Sequence, residues 1–186
     1  MKQMVGLIVD GLSRCSPRCG NTLVVAIDGR AGSGKSTLAE RAALALNCPV
    51  LSMEGLYAGW TGLAQGVSAL VDNVLTPLSE HRVAEVPHFD WNLMTWVHSV
   101  PLTPPPLLIV EGVGAATINT TPFTSLVVWL ELNEQIRRER ALSRQLDGVA
   151  FTPHWDEWAR QEDALFANDS VWRRADLVFD TSGAVL

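Results

Sequence analysis

The chain has 186 residues, of which 47% are apolar and 18% charged, and this is the size of one domain able to bury its own core. Its 14 basic and 20 acidic residues give a formal net charge of −6, which argues against a broad basic surface for nucleic acid. Three cysteines favour a reducing compartment over a disulfide scaffold, and no uninterrupted apolar segment is long enough to span a bilayer. We therefore expect a cytoplasmic protein with no membrane or nucleic-acid partner, whose oligomeric state the sequence leaves open.

The first third of the chain predicts a helix, a strand and a second helix. Residues 1–20 predict a short amphipathic helix, from about Met4 to Leu12, and a connector of cysteine, proline and glycine. The β-branched run Leu23–Asp28 is typical of a strand buried on both faces, as in a parallel sheet. A glycine-rich turn follows, and apolar residues at helical spacing predict a helix that ends at Asn47-Cys48-Pro49.

Strands and helices continue to alternate along the rest of the chain. The remaining predicted elements are a strand at Pro49–Met53, a helix at about Gly62–Leu78, strands at Leu107–Glu111 and Leu126–Glu131, a helix from the cap Asn133 to about Leu146, a helix opened by Thr152-Pro153 and a strand at Asp176–Asp180. This order predicts a three-layer α/β fold with a mostly parallel sheet and helices on both faces. We find no repeat or linker, so residues 1–186 are expected to form a single domain.

The turn after the first strand carries the phosphate-binding motif GxxxxGK[ST]. It reads Gly29-Arg30-Ala31-Gly32-Ser33-Gly34-Lys35-Ser36 and is followed by Thr37. Glycines let consecutive amides line a concavity for phosphate oxygens, and the following helix adds its positive end. We therefore expect residues 29–37 to bind ATP, with Lys35 at the β- and γ-phosphates and the Ser36 hydroxyl on Mg²⁺.

The second group on the metal should be an acid that ends a neighbouring buried strand. Glu111 is the candidate, because it follows an apolar strand and precedes a glycine. Glu131 ends an equally apolar strand but leads directly into a helix cap. An exposed carboxylate at a strand end is the alternative for Glu111. We expect Asp28, next to the motif, to bond the turn rather than a metal.

Six segments together resemble the uridine kinase family of P-loop nucleoside and small-molecule kinases. They are AIDGRAGSGKST at 26–37, LSMEGLY at 51–57, VPHFDW at 86–91, IVEG at 109–112, the spacing of Arg137, Arg140 and Arg144, and RADLVFD at 174–180. The resemblance extends over roughly residues 22–182 and implies a P-loop NTPase fold that uses ATP and Mg²⁺. The stretch between Tyr57 and Pro87 lacks the base-recognition insert typical of uridine kinases, which argues against uridine itself as the substrate.

The resemblance also implies roles for residues on the acceptor side. Glu54 stands where the family has an aspartate that acts as base for the acceptor hydroxyl. In the family an aromatic pair follows this base, and Leu56-Tyr57 stands at that position in this sequence. His88, Phe89 and Asp90 match the segment with which the family holds its acceptor. The alternatives are a solvated loop carboxylate at Glu54 and core aromatics at a strand end.

Three arginines on one helical face match the edge of the family's lid. Arg137, Arg140 and Arg144 fall at i, i+3 and i+7. The resemblance implies a lid near residues 137–153, with Arg137 contacting ATP and the other two neutralising the transferred phosphoryl group. Gln145 stands where the family usually has aspartate. An ordinary solvated helix face is the alternative for these arginines.

These features predict a Mg·ATP-dependent phosphotransferase acting on a hydroxyl of a small molecule, for which a nucleoside or nucleoside-like metabolite is one candidate. The alternative is an ATP-binding switch or accessory ATPase without a small-molecule acceptor. A GTP-specific switch is disfavoured, because the sequence has no third lysine to build a guanine-binding loop.

Overall fold

A computed structural model describes residues 1–143 and 151–183 of the chain. Its main sheet is parallel, with strand order β2-β5-β1-β6-β7. The strands are β1 (Leu23–Asp28), β2 (Val50–Ser52), β3 (Ala84–Asp90), β4 (Thr95–Leu102), β5 (Leu107–Glu111), β6 (Leu126–Glu131) and β7 (Leu177–Asp180). The helices are α1 (Lys2–Leu12), α2 (Lys35–Leu46), α3 (Leu63–Ala69), α4 (Thr76–Ser79), α5 (Glu134–Leu142), α6 (Trp155–Asn168) and α7 (Val171–Arg174).

The central strand β1 places the glycine-rich loop in the middle of one sheet edge. It pairs in parallel with β5 on one side and β6 on the other, so that Ile27 lies opposite Glu111 and Asp28 opposite Trp129. Parallel strands end at the same edge of a sheet, where loops of open α/β folds bind ligands. The predicted α/β architecture and the bounds of β1, β5 and β6 are confirmed.

Apolar side chains cover both faces of this sheet, as a parallel sheet requires. Val24 and Ala26 point into a core formed with α3 and the aromatic residues of α6. Val25 and Ile27 point to the opposite face, into a core formed with α1 and α2. The sheet is therefore the middle one of three layers. In the described parts of the chain every helix is too short or too polar to cross a membrane.

An antiparallel hairpin of β3 and β4 stands apart from the main sheet and was not predicted. Its register shifts between Val86 and His88, a bulge at the position of Pro87. Most side chains of β4 are exposed, and Pro101 is tolerated because β4 is an edge strand. Residues 91–110, which include no Asp, Glu, Lys or Arg, thus contain the whole of β4 and the first four residues of β5.

Several element boundaries differ from the predicted ones. Helix α1 begins at Lys2 rather than Met4, and β2 is shorter than Pro49–Met53. The predicted helix Gly62–Leu78 is divided into α3, a π-helical turn at Leu70–Leu75 and α4. Pro77 explains the change, because it has no N–H to donate to the carbonyl four residues earlier. A 3₁₀ turn at Thr152–His154 precedes α6, where the sequence predicted a capped α-helix.

Candidate active site

The loop between β1 and α2 requires glycine at three positions. Gly29, Gly32 and Gly34 have φ angles of 145°, 81° and 97°, which side chains other than glycine rarely adopt. A Cβ atom on Gly32 would also collide with the backbone carbonyl of Arg137. Gly34 caps α2 directly, so the unpaired amides of the first helical turn open onto the loop. The motif therefore has the conformation expected of a phosphate-binding loop.

Lys35 lies within this loop as a buried cation. The residue is only 8% exposed, and its Nζ donates a 3.0 Å hydrogen bond to the carbonyl of Arg30. Burial lowers the pKa of Lys35, and four carboxylates oppose that shift: Glu111, Glu162, Asp28 and Glu54. A positive charge is thus concentrated where the motif predicts terminal phosphates.

Ser36 and Glu111 meet beside Lys35. The Ser36 hydroxyl donates a 3.2 Å hydrogen bond to Oε2 of Glu111, which is 4% exposed at the end of β5. Glu131 ends β6 on the other side of β1, where its carboxylate accepts from Trp129 Nε1 and from the Leu132 amide. A hydroxyl and a carboxylate oxygen at this spacing are hard ligands suited to Mg²⁺. The geometry favours Glu111 over Glu131 as the acid next to the loop.

The donor groups of the loop fit a triphosphate. The buried Ser33 hydroxyl has no hydrogen-bond partner within residues 1–143 and 151–183. Such an unpaired hydroxyl costs about 1–3 kcal/mol, which a phosphate oxygen can offset by accepting its hydrogen. Thr37 follows in the first turn of α2. The loop, Lys35 and Ser36 are together suited to ATP phosphates with Mg²⁺.

Hydrogen bonds of Asp28 connect the glycine-rich loop to the loop that follows Glu111. Its Oδ1 accepts from the amides of Gly29 at 2.7 Å and Gly114 at 3.1 Å, and its Oδ2 accepts from Ala116 at 2.9 Å. Burial raises the pKa of Asp28 to about 6, although the three amides and Lys35 act in the opposite direction. The prediction that Asp28 bonds the turn is confirmed.

Glu54 lies on a 3₁₀ turn, Met53–Leu56, just beyond β2. The turn is capped by Ser52, whose hydroxyl accepts from the Glu54 amide at 3.3 Å. Ser52 lies opposite Glu111 on the neighbouring strand β5, so the turn begins at the sheet edge that carries the phosphate loop, residues 29–36. Glu54 is exposed, and its charge raises the pKa of Lys35. Its role as a base stays a prediction.

Tyr57 is buried behind this turn. Its hydroxyl donates a 2.8 Å hydrogen bond to the carbonyl of Val113, and its ring packs edge-on against Trp158 at 5.0 Å between centroids. Burial, with nearby carboxylates, raises the pKa of Tyr57. The side chain therefore braces the loop after Glu111, and its predicted contact with the acceptor stays a prediction.

The hairpin brings the His88–Trp91 segment beside Glu54. His88 is exposed with its ring next to Gly55, and Phe89 is buried against Trp91 and Trp96. Asp90 turns the chain, since its Oδ1 accepts from the amides of Asn92 at 2.8 Å and Leu93 at 2.9 Å. The segment predicted to hold the acceptor thus adjoins the predicted base, while its acceptor contacts stay predictions.

An aromatic cluster next to this segment was not predicted from the sequence. The ring centroid of Trp60 lies 4.7 Å from that of Trp91. The same ring is stacked with the rings of Phe151 and His154, at centroid distances of 5.3 Å and 4.6 Å. These residues come from three separate segments, so no local spacing connects them. Trp155 and Trp158 are buried on α6.

The predicted lid arginines have different surroundings. Arg137 is buried, and donates from Nε to the Leu132 carbonyl at 3.1 Å and from Nη1 to the Ala31 carbonyl at 3.2 Å. Arg140 is half-buried and donates to the Thr181 carbonyl at 3.3 Å. Arg144 and Gln145 lie outside the described residues. Arg137 thus contacts the phosphate loop, and a direct contact with ATP stays a prediction.

Glu162 on α6 is a second group that sequence reasoning missed. Its carboxylate accepts a 2.7 Å hydrogen bond from the amide of Ala31, inside the motif. The neighbouring Asp163 forms a 2.7 Å ion pair with Arg30, whose guanidinium lies 5.4 Å from the centre of the Phe166 ring. Helix α6 therefore contacts the phosphate loop through charged residues.

Comparison with known proteins identifies solved structures that share this fold. No model of a known protein family and no curated protein sequence matches the chain. A candidate uridine kinase from Bacillus stearothermophilus is similar in structure, with a TM-score of 0.68 and 22% identity over 96% of this chain and 98% of that chain. A candidate fructose transport system kinase from Silicibacter sp. TM1040 has a TM-score of 0.65 and 22% identity, covering 94% and 98%.

A third similar structure is YFH7 from Saccharomyces cerevisiae, a candidate P-loop kinase with a circular permutation. Its TM-score is 0.59 at 11% identity, over 96% of this chain and 98% of that chain. All three similarities extend over nearly the whole of both chains. The chain therefore shares the α/β P-loop NTPase fold of these structures.

Proposed function

We propose that the protein is a kinase that uses Mg²⁺ and ATP to transfer the γ-phosphoryl group to a hydroxyl of a small molecule. The observation that carries the proposal is the 3.2 Å hydrogen bond from Ser36 to Glu111, beside the buried Lys35. It unites a phosphate-binding loop and a metal-binding pair at the edge where Glu54 follows β2. A nucleoside or nucleoside-like metabolite is one candidate for the acceptor.

On the nucleotide side, residues 29–37 would hold the phosphates, with Arg137 at the outer side of the loop. Ser36 and Glu111 would hold Mg²⁺, which when bound supplies positive charge to the phosphate oxygens. Lys35 presents its ammonium to the same oxygens. The sequence has only one other lysine, Lys2, which lies at the start of α1. No other lysine is therefore present in the loop to replace Lys35.

On the acceptor side, Glu54 would take the proton of the attacking hydroxyl. The acceptor oxygen forms a bond to the γ-phosphorus as the bond from that phosphorus to the β–γ bridging oxygen breaks, and ADP leaves. Lys35, Arg140 and Arg144 would neutralise the charge of the transferred group. Tyr57, His88, Phe89 and Asp90 would orient the acceptor at the hairpin.

A screen of hydroxyl-bearing metabolites for acceptor-dependent ADP release tests this function. Nucleosides, sugars and polyols are incubated with Mg·ATP and enzyme, and positive reactions are checked by the mass gain of one phosphoryl group. The Lys35→Ala variant is the control for contaminating kinases. ADP release that no acceptor stimulates, together with tight ATP binding, would contradict the kinase proposal and favour an ATP-dependent switch.

A further inference from the structure

Glu162 is a carboxylate placed in the apolar face of a helix. The inner face of α6 is formed by Trp155, Trp158, Glu162 and Phe166, and Glu162 is only 1% exposed. Burying a carboxylate is costly unless hydrogen bonds and opposite charges compensate for the lost water. Its partners therefore indicate what the residue does.

One oxygen of Glu162 binds the phosphate loop. Oε1 accepts a 2.7 Å hydrogen bond from the Ala31 amide and a 3.0 Å hydrogen bond from Trp158 Nε1. The Trp158 indole is buried, so it fixes the carboxylate from the α6 side. Ala31 is the third residue of the motif, between Gly29 and Gly32, which have positive φ angles.

The other oxygen faces two guanidinium groups. Oε2 lies 3.6 Å from Nη1 of Arg30 and 3.9 Å from Nη1 of Arg137. Burial raises the pKa of Glu162, while the Ala31 amide and the charges of Lys35, Arg137 and Arg30 oppose this shift. The carboxylate thus pairs with one cation of the loop itself, Arg30, and with one cation of α5, Arg137.

Arg137 completes the contact, because its Nη1 donates to the carbonyl of Ala31 at 3.2 Å. Both polar backbone atoms of Ala31 are therefore bound by charged side chains, one from α5 and one from α6. The backbone of Arg137 also lies so close to Gly32 that a side chain there would not fit. Arg137 therefore contacts the phosphate loop at two successive residues, Ala31 and Gly32.

We propose that Glu162 is a positioning residue for the nucleotide: it binds the Ala31 amide and, with Arg137, holds the phosphate loop in its binding conformation. The proposal rests on the proposed function only in that Mg·ATP is the ligand of this loop. A loop held in its bound shape loses less conformational freedom when the phosphates bind, so the affinity rises. Glu162 acts through Ala31, on the side of the loop facing α6.

Two substitutions separate the hydrogen bond from the charge. Glu162→Asp keeps the charge but shortens the side chain by one methylene, so the carboxylate withdraws from Ala31 and Trp158. Glu162→Gln keeps a carbonyl oxygen at the original length and loses the charge. Asp163→Asn is the matched control, because Asp163 is a neighbouring carboxylate with a side chain 69% exposed that pairs with Arg30.

The readout is the Kd for Mg·ATP, measured by titration calorimetry well below the melting temperature of each variant. We expect a Kd about 10-fold higher for Glu162→Asp, about 3-fold higher for Glu162→Gln and within about 2-fold of wild type for Asp163→Asn. A purely structural role would lower the melting temperature and leave this Kd unchanged. Equal Kd values for wild type and Glu162→Asp, or weaker binding by Gln than by Asp, would overturn the proposal.

Hydrogen exchange of the ligand-free protein supplies a second test if Glu162→Asp does not fold. Peptides that contain residues 29–34 should exchange faster in Glu162→Gln than in wild type or Asp163→Asn. Unchanged exchange would overturn the proposal. Wild-type protein that does not bind Mg·ATP contradicts both proposals, whereas tight binding without any phosphoryl transfer contradicts the kinase function alone.

Discussion

The indole Nε1 of Trp91 donates a 2.9 Å hydrogen bond to the backbone carbonyl of Glu54. This bond joins the hairpin to the turn that carries the proposed base, over 37 residues of intervening sequence. The position of Glu54 relative to the phosphate loop therefore depends on the hairpin as well as on β2.

Replacing Trp91 should impair transfer without affecting nucleotide binding. Trp91→Phe keeps an aromatic ring and removes the hydrogen bond to Glu54, which is worth about 0.5–1.5 kcal/mol. We expect kcat/KM for the acceptor to fall ~3–10-fold while the Kd for Mg·ATP stays unchanged. Trp96→Phe, on the exposed side of Phe89, is the control. A changed Kd for ATP in Trp91→Phe would contradict the separation of the two sites.

Removing the carboxylate of Glu54 should slow the chemical step. Glu54→Gln cannot take up the proton of the acceptor hydroxyl, so transfer should fall ~10²–10⁴-fold at unchanged ATP affinity. Glu54→Asp should also be impaired, since a displacement of about 1 Å can cost ~10²-fold. Steady-state rates on an identified acceptor measure both effects. Wild-type activity in Glu54→Gln would show that another group is the base.

Lys35 should be essential for nucleotide binding. Lys35→Ala removes the buried cation, and the rise in melting temperature that Mg·ATP gives the wild type should disappear. The far-UV circular dichroism should stay the same. Arg41→Ala removes an exposed positive charge from the same helix and is the control. Thermal stabilisation of Lys35→Ala equal to that of the wild type would exclude the assigned loop.

Glu111 should control the metal dependence. Glu111→Gln replaces a carboxylate oxygen with a neutral amide, so higher Mg²⁺ concentrations should be needed for activity while nucleotide binding largely survives. The matched variant is Glu131→Gln, whose carboxylate ends the strand on the other side of β1. Mg²⁺ titrations of activity compare the two. A larger effect of Glu131→Gln would mean that the metal-binding acid lies on β6.

Asp28 should make stability depend on pH. Its pKa is raised from 3.8 to about 6 by burial, so between those values the folded protein binds a proton that the unfolded chain does not. Its contribution is therefore complete below about pH 4 and is lost as the pH rises through about 6, at a cost of about 3 kcal/mol.

The Asp28→Asn variant tests this dependence. Its melting temperature minus that of the wild type should increase between pH 4 and pH 6.5, whatever its sign at pH 4. Asp10→Asn, on the exposed part of α1, controls for the loss of one carboxylate. A difference that stays constant over this range would show that Asp28 has the same pKa in both states.

The sequence predicted the strands that are buried on both faces, and the reason is physical. Continuous apolar runs such as Leu23–Asp28 fit only the interior of a parallel sheet, and the observed bounds agree. Strand β4 gave no such pattern, because its side chains are mostly exposed and its stability comes from pairing with β3. Pro101 also argued against a strand at this position, because proline is disfavoured within strands.

The site was predictable where the chemistry is local. The motif at 29–36 and the acid at the end of β5 are sequence features, and the structure brings Ser36 and Glu111 together. Glu162 was not predictable, because a carboxylate in a helix normally faces solvent and only the packing of α6 on the loop buries it. The same holds for Trp60, whose stacking partners are distant in sequence.

The position of β1 between β5 and β6 determines when the proposed nucleotide site can form. Leu23 pairs with Leu107 and Val25 with Leu126, so both neighbours of the loop-bearing strand are synthesised long after it. Contacts of such large sequence separation form late and slow the folding of the chain. During translation the phosphate loop therefore leaves the ribosome well before the sheet that shapes it. The nascent first half therefore lacks the proposed nucleotide site, and a bound nucleotide could stabilise the protein only after synthesis has passed β6.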